Sequence, residues 1–140
     1  MAAKNHSRDI HARIFHKLLD VVPDLMSIEE AGRSQVDGYM DLGFDVLHRS
    51  PDKLIVALSH YYKHPSGDMI ADPDMEIMVC PAQEYAEALA YQDAFGYQTV
   101  EMPSGEIDRK RQRDLDCFLS QWLTNLIEQG HCIQPMAEAD

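Results

Sequence analysis

The sequence predicts an α+β fold: an N-terminal helix, an antiparallel meander of four to five strands, and a long C-terminal helix packed on one sheet face. Apolar residues recur at steps of three and four near both ends of the chain. Through the middle they alternate with polar residues at a period of two, and turn residues separate the alternating runs. One sheet face needs covering, and two amphipathic helices are available to cover it.

The first helix spans Asp9 to Val22, where Ile10, Ile14, Phe15, Leu18, Leu19 and Val22 form a stripe; Ser7 is the candidate N-cap and Pro23 closes the last turn. Residues 24 to 37 read mainly as a connection. From Tyr39 the period becomes two: Met40, Leu42, Phe44 and Val46 alternate with Asp41, Gly43 and Asp45, giving a half-buried strand. Ser50-Pro51-Asp52-Lys53 is turn chemistry, so the strand Leu54 to Tyr62 returns antiparallel. It presents Leu54, Val56, Leu58, His60 and Tyr62 on one face and Ile55, Ala57, Ser59 and Tyr61 on the other. His64 to Pro73 carries two prolines and reads as a surface loop.

Met75, Ile77 and Val79 make a third strand, which Pro81 stops. Tyr85 to Tyr91 favours helix by composition and strand by alternation, and its strand neighbours decide for sheet. Tyr97 to Met102 follows as a fifth strand. The strongest signal is last: Leu115, Phe118, Leu119, Trp122, Leu123, Leu126 and Ile127 form a continuous stripe that Gly130 ends, preceded by the polar turns Glu106 to Arg113.

At 140 residues the chain has the size of one domain, with 1–6 and 135–140 expected as flexible tails. Lys and Arg total 12 against 24 Asp and Glu, a net charge of −12 spread along the chain. Such a field repels phosphate backbones, so nucleic acid is not an expected partner. The basic run Arg109-Lys110-Arg111-Gln112-Arg113 is bracketed by Glu106, Asp108, Asp114 and Asp116. Cys80, Cys117 and Cys132 are odd in number and contain no C-x-x-C pair, which fits neither a disulfide framework nor a zinc knuckle and implies a reducing compartment. The N-terminus lacks an apolar signal region and no stretch nears the roughly 18 apolar residues of a membrane helix. A cytoplasmic protein without membrane contact is expected.

The second half resembles a family of small bacterial proteins, the YqiB-like family known as domain of unknown function 1249. The resemblance rests on Asp74-Met75-Glu76-Ile77 with Pro81, on Ala86-Glu87-Ala88-Leu89-Ala90-Tyr91-Gln92, and on the polar run Asp108 to Asp114 leading into Leu115, Phe118-Leu119, Trp122-Leu123 and Gly130. It covers roughly residues 55–132. It implies a bacterial cytoplasmic domain, and it transfers no activity, cofactor or catalytic residue.

Among residues that carry chemistry, His60, His64, Asp68 and Asp72 could supply nitrogen and oxygen ligands to a divalent metal. On one strand, however, positions 60 and 64 lie about 13 Å apart at about 3.3 Å per residue. Glu76 and Glu87 fall on neighbouring strands, where paired carboxylates can divide acid and base roles. They also alternate with apolar neighbours, as residues on a wet face must. A concave face lined by Tyr61, Glu76, Glu87 and Tyr91 would make a small-molecule pocket, and the tyrosines, Tyr62 included, suit an interface. Cys117 and His131 are too far apart along a helix to form a nucleophile pair. His6, His11 and His16 spread around the first helix and read as solvated. The common nucleotide-binding and hydrolase motifs are absent.

The resulting expectation is a non-catalytic protein-interaction or small-ligand-binding module with no cofactor and no catalytic residue. Its partner is an unidentified protein or small molecule, and a second copy of the chain is a candidate. The alternative is a small metal-dependent hydrolase built on the His60 to Asp74 loop, with His60, His64, Asp68 and Asp72 as ligands.

Overall fold

The computed structural model describes residues 9–136. Helix α1, Ile10–Val21, begins where the Asp9 carboxylate accepts the backbone N–H of His11 at 3.0 Å. Asp9 is therefore a cap; the expected Ser7 lies outside the described residues. The helix buries Ala12, Ile14, Phe15, Leu18 and Val21, and the turn after it sinks Leu25 and Ile28 into the same core.

Seven strands follow: β1 Ala31–Ser34, β2 Leu42–Arg49, β3 Leu54–Lys63, β4 Met69–Cys80, β5 Tyr85–Asp93, β6 Gly96–Thr99 and, after helix α2 (Arg109–Gln129), β7 Gln134–Pro135. Their spatial order is β6-β5-β4-β3-β2-β1-β7, and every pairing is antiparallel. Six strands thus form an unbroken meander, and the chain returns across the helix layer to lay β7 on β1. The α+β class, the terminal helices and the strand identity of Tyr85–Asp93 match expectation.

Three elements differ from the sequence reading, each for a physical reason. Strand β1 lies within the expected connection; Ala31-Gly32-Arg33-Ser34 is four residues long and carries no large apolar side chain, so it shows no period. The expected loop at His64 to Pro73 is a tight turn, and β4 starts at Met69. Pro73 is buried inside β4, where the register against β3 slips between Ser59 and Tyr61. A bulge needs no ladder N–H there, so proline is tolerated. Finally, Pro135, expected in a flexible tail, pairs with Gly32, and the Met136 N–H donates to the Ala31 carbonyl at 3.1 Å.

The core lies on one face of the sheet. Leu42 and Phe44 of β2, Leu54, Val56 and Leu58 of β3, Met75, Ile77 and Val79 of β4, and Ala86 and Ala88 of β5 meet α1 and the α2 stripe Leu115, Leu119, Trp122, Leu123 and Leu126. Helix α2 ends at Gly130, whose left-handed φ of 91° turns the chain so that the next N–H, of His131, reaches back to the Leu126 carbonyl at 3.0 Å.

Gly32 marks the closest approach in the sheet. A Cβ built there would lie 2.5 Å from Ile133 Cγ2 and 2.8 Å from the Gln134 carbonyl oxygen, whereas one on Gly43 meets nothing nearer than 3.5 Å. Gly32→Ala is expected to lose about 1–3 kcal/mol in urea unfolding by forcing β7 off β1, with Gly43→Ala close to wild type. Equal stability of the two variants would show that β7 is not held at this spacing.

Candidate functional site

The second face of the sheet carries none of the strand residues of the core cluster. Register builds its centre. In one row Gly43 of β2, Ser59 of β3 and Asp74 of β4 are neighbours; in the next, Asp45, Ala57 and Glu76. Ala57 and Ser59 are 7% and 3% exposed, so longer side chains on both sides wall a floor of small residues. With strands about 4.8 Å apart, Asp45 and Glu76 stand roughly 10 Å apart across that floor. The Tyr61 hydroxyl donates to Asp74 Oδ2 at 2.6 Å. That bond, with partial burial, raises the phenol to about 12. Burial and the nearby Asp74 charge push the Asp45 carboxyl above its usual range. Arg33 of β1, opposite Gly43, places a positive charge at the rim.

Of the residues singled out from sequence, Tyr61 and Glu76 share this face, and Tyr62 is exposed further along β3 toward the turn. Tyr91 does not join them; Glu87, opposite Met78, is on this face by register but lies at the β5 edge, where the Gln112 side chain of α2 engages its carboxylate. Between β4 and β5 the register slips, pairing Glu76 with Ala90 but Ile77 with Ala88, so Leu89 is an extra residue. A one-residue bulge reverses which side chains face the core. Tyr91, opposite Met75, turns to the helices, sets its ring edge-on to Phe118 at 5.3 Å and donates to Asp93. Glu87 accepts from Tyr85 at 3.0 Å and from the Gln112 side chain of α2.

The alternative metal ligands are also kept apart. His60 is buried on the core face, where Nδ1 donates to the Asp41 carbonyl at 2.8 Å and the ring meets Trp122. His64 sits in the exposed turn bonded to Ser66, Asp68 follows in that turn, and Asp72 is exposed on β4. Among the described residues, no group of three or more His, Cys, Asp or Glu could hold a metal ion.

Two buried polar clusters escaped sequence reasoning. Asp116, 2% exposed, accepts the Ala88 N–H at 2.8 Å and His11 Nε2 at 2.9 Å. Desolvation raises this carboxyl, opposed by those two bonds. His11 also stacks on Tyr85 at 4.6 Å, and His16 pairs with Glu84 at 3.0 Å, so neither is the free solvated group its spacing suggested. The second cluster joins His131 Nδ1 to Ser34 Oγ at 2.8 Å, with His60 beside it. Cys117, by contrast, is exposed on α2. A sequence signal existed only for Asp116, a charge one turn from Leu119 inside the apolar stripe.

A family described as a domain of unknown function, DUF6908, matches residues 12–132. The chain belongs to that family. This replaces the resemblance to the YqiB-like domain of unknown function 1249, which is a different domain; the short apolar pieces behind that resemblance are core positions that packing alone explains. No curated protein and no solved structure matches the chain. No helix among the described residues of this DUF6908 domain is long and apolar enough to cross a membrane.

In this DUF6908 domain, Asp116→Ala would leave the Ala88 N–H buried without an acceptor and His11 without its carboxylate. A loss of about 2–3 kcal/mol in denaturant unfolding is expected, with Asp116→Asn losing less because one acceptor oxygen remains. If both substitutions are neutral, Asp116 does not join helix and strand.

Proposed function

We propose that this protein is a non-catalytic binding module that takes a basic segment of a partner protein on the uncovered face of its sheet. The supporting observation is the row pair Gly43-Ser59-Asp74 and Asp45-Ala57-Glu76, a small-residue floor walled by three carboxylates and Tyr61. A face shaped only for stability would separate Asp45 from Asp74; here partial burial, with their repulsion added, holds the Asp45 carboxyl up. A guanidinium or ammonium group placed between them relieves that repulsion and meets acceptors on both sides. The net charge of −12 steers such a partner toward the protein. Exposed Tyr61 adds apolar area with a polar tip on the same face.

The sign of the Asp45 shift makes this checkable without a partner. A carboxyl raised on folding contributes stability below its unfolded value of 3.8, and that contribution is lost as pH rises through the folded value. At pH 7 the charge therefore works against the fold. Asp45→Asn is expected to raise Tm at pH 7 and to match wild type near pH 3; a lower Tm at pH 7 would count against the strained face.

Binding itself is tested by titrating ¹⁵N-labelled protein with an arginine-rich hexapeptide and with an aspartate-rich one. Shifts confined to residues 43–45, 57–61 and 74–78 with the basic peptide, lost in the Asp74→Asn/Glu76→Gln double variant, are expected. Shifts spread over the helix face, or none with either peptide, would overturn the reading.

A further inference from the structure

We propose that His131 is an acid latch: taking up a proton, it leaves the core and releases residues 131–136, with β7, from the edge of β1. The geometry carries this. His131 follows directly on the cap of α2 and is 3% exposed. Its Nδ1 is bonded to Ser34 Oγ, which also accepts the Cys132 N–H at 2.9 Å. Its Nε2 is the one buried side-chain polar atom among the described residues that has no hydrogen-bond partner. A neutral imidazole tolerates that position; an imidazolium, with a proton on each nitrogen and a charge buried from water, is disfavoured there.

The groups around the ring do not rescue the charge. From β1 comes the neutral Ser34 hydroxyl. From β3 comes His60, its ring centroid 5.8 Å away, and a positive charge there repels one on His131. The segment before β2 offers the Met40 carbonyl and the Asp41 carboxylate, which favour the charged ring; Asp41 is exposed and accepts from Gln35 at 3.1 Å. Trp122 of α2 meets His60 edge-on, and Cys132, the next residue, presents a thiol. Burial and His60 outweigh Met40 and Asp41, so the His131 imidazole is held below its ordinary 6.5.

Release is local because little else holds the segment. Strand β7 has two residues, paired Gly32 to Pro135 and Arg33 to Gln134, and the segment is otherwise tied by the His131 N–H to the Leu126 carbonyl, the Cys132 N–H to Ser34, the Ile133 N–H to Val21, the Met136 N–H to Ala31 and the Ile133 side chain in the core. The long registers of β2 to β5 do not depend on it. The open form takes up a proton near 6.5 and the closed form only lower, so closure weakens as pH falls below about 6.5. What opening uncovers is the outer edge of β1, a row of backbone groups ready to pair with an extended chain.

Amide hydrogen exchange at pH 7.5 and pH 5.5, expressed as protection factors to remove intrinsic rates, tests the latch. The expected result is a drop of tenfold or more at Cys132, Ile133, Gln134 and Met136, no change at Val56 and Ile77, and no pH effect in His131→Asn, whose amide keeps the Ser34 bond. Unchanged protection in wild type, or the same drop in His131→Asn, overturns the proposal. Should His131→Asn not fold, the ring ¹⁵N resonances of wild type decide: a His131 midpoint below 6.5 is required, and one at or above 6.5 overturns it.

Discussion

The Asp116 carboxylate is the point at which the two layers of this protein are fastened. The half of β5 that β6 does not reach leaves the Ala88 N–H without a strand partner, and Asp116 of α2 supplies the acceptor. Burying that carboxylate is unfavourable unless its other lone pairs are also met, and His11 of α1 meets them. The apolar stripe of α2 would pack on the sheet in several registers; only the one that brings Asp116 to Ala88 and His11 satisfies the charge. Both helices are thereby set on one face, against the core strands β2 to β5.

With both helices committed to one side, the described chain has nothing left to cover the other. Antiparallel sheets tolerate a wet face, and a purely structural one carries mixed charges and long side chains. Here the centre has a floor of Gly43, Ala57 and Ser59, a tyrosine bonded to one carboxylate, and a second carboxylate raised by partial burial and by its neighbour. That departure from what stability alone would select is the reason the face, rather than the helix layer, is read as the working surface.

The two buried polar clusters differ in how completely they are satisfied. Asp116 has both partners, and its cluster rigidifies the joint between α1, α2 and β5. His131 has one nitrogen bonded and one not, next to a second histidine and under a two-residue edge strand. A half-satisfied buried titratable group ties the packing of its segment to the proton concentration.

Periodicity and turn chemistry by themselves determined the α+β class, both helices and the β2–β3 hairpin, because apolar spacing reports which side of an element must leave water; for Tyr85–Tyr91 alternation and helix propensity pulled apart, and only the neighbouring strands tipped the reading to sheet. Gly130 marked the end of α2 for the same kind of local reason, a backbone angle that other residues resist. Whatever depended on which strand lies beside which was decided only by the tertiary structure. The bulge at Leu89 sends Tyr91 to the helices and leaves Glu76 on the open face, so a quartet that looked like one site in the sequence is split. The bulge at Pro73 turns an apparent loop into strand, and β7 recruits a stretch that reads as tail. Alternation specifies faces one strand at a time; register, and with it the grouping of Asp45, Asp74 and Glu76 around Ser59, exists only between strands.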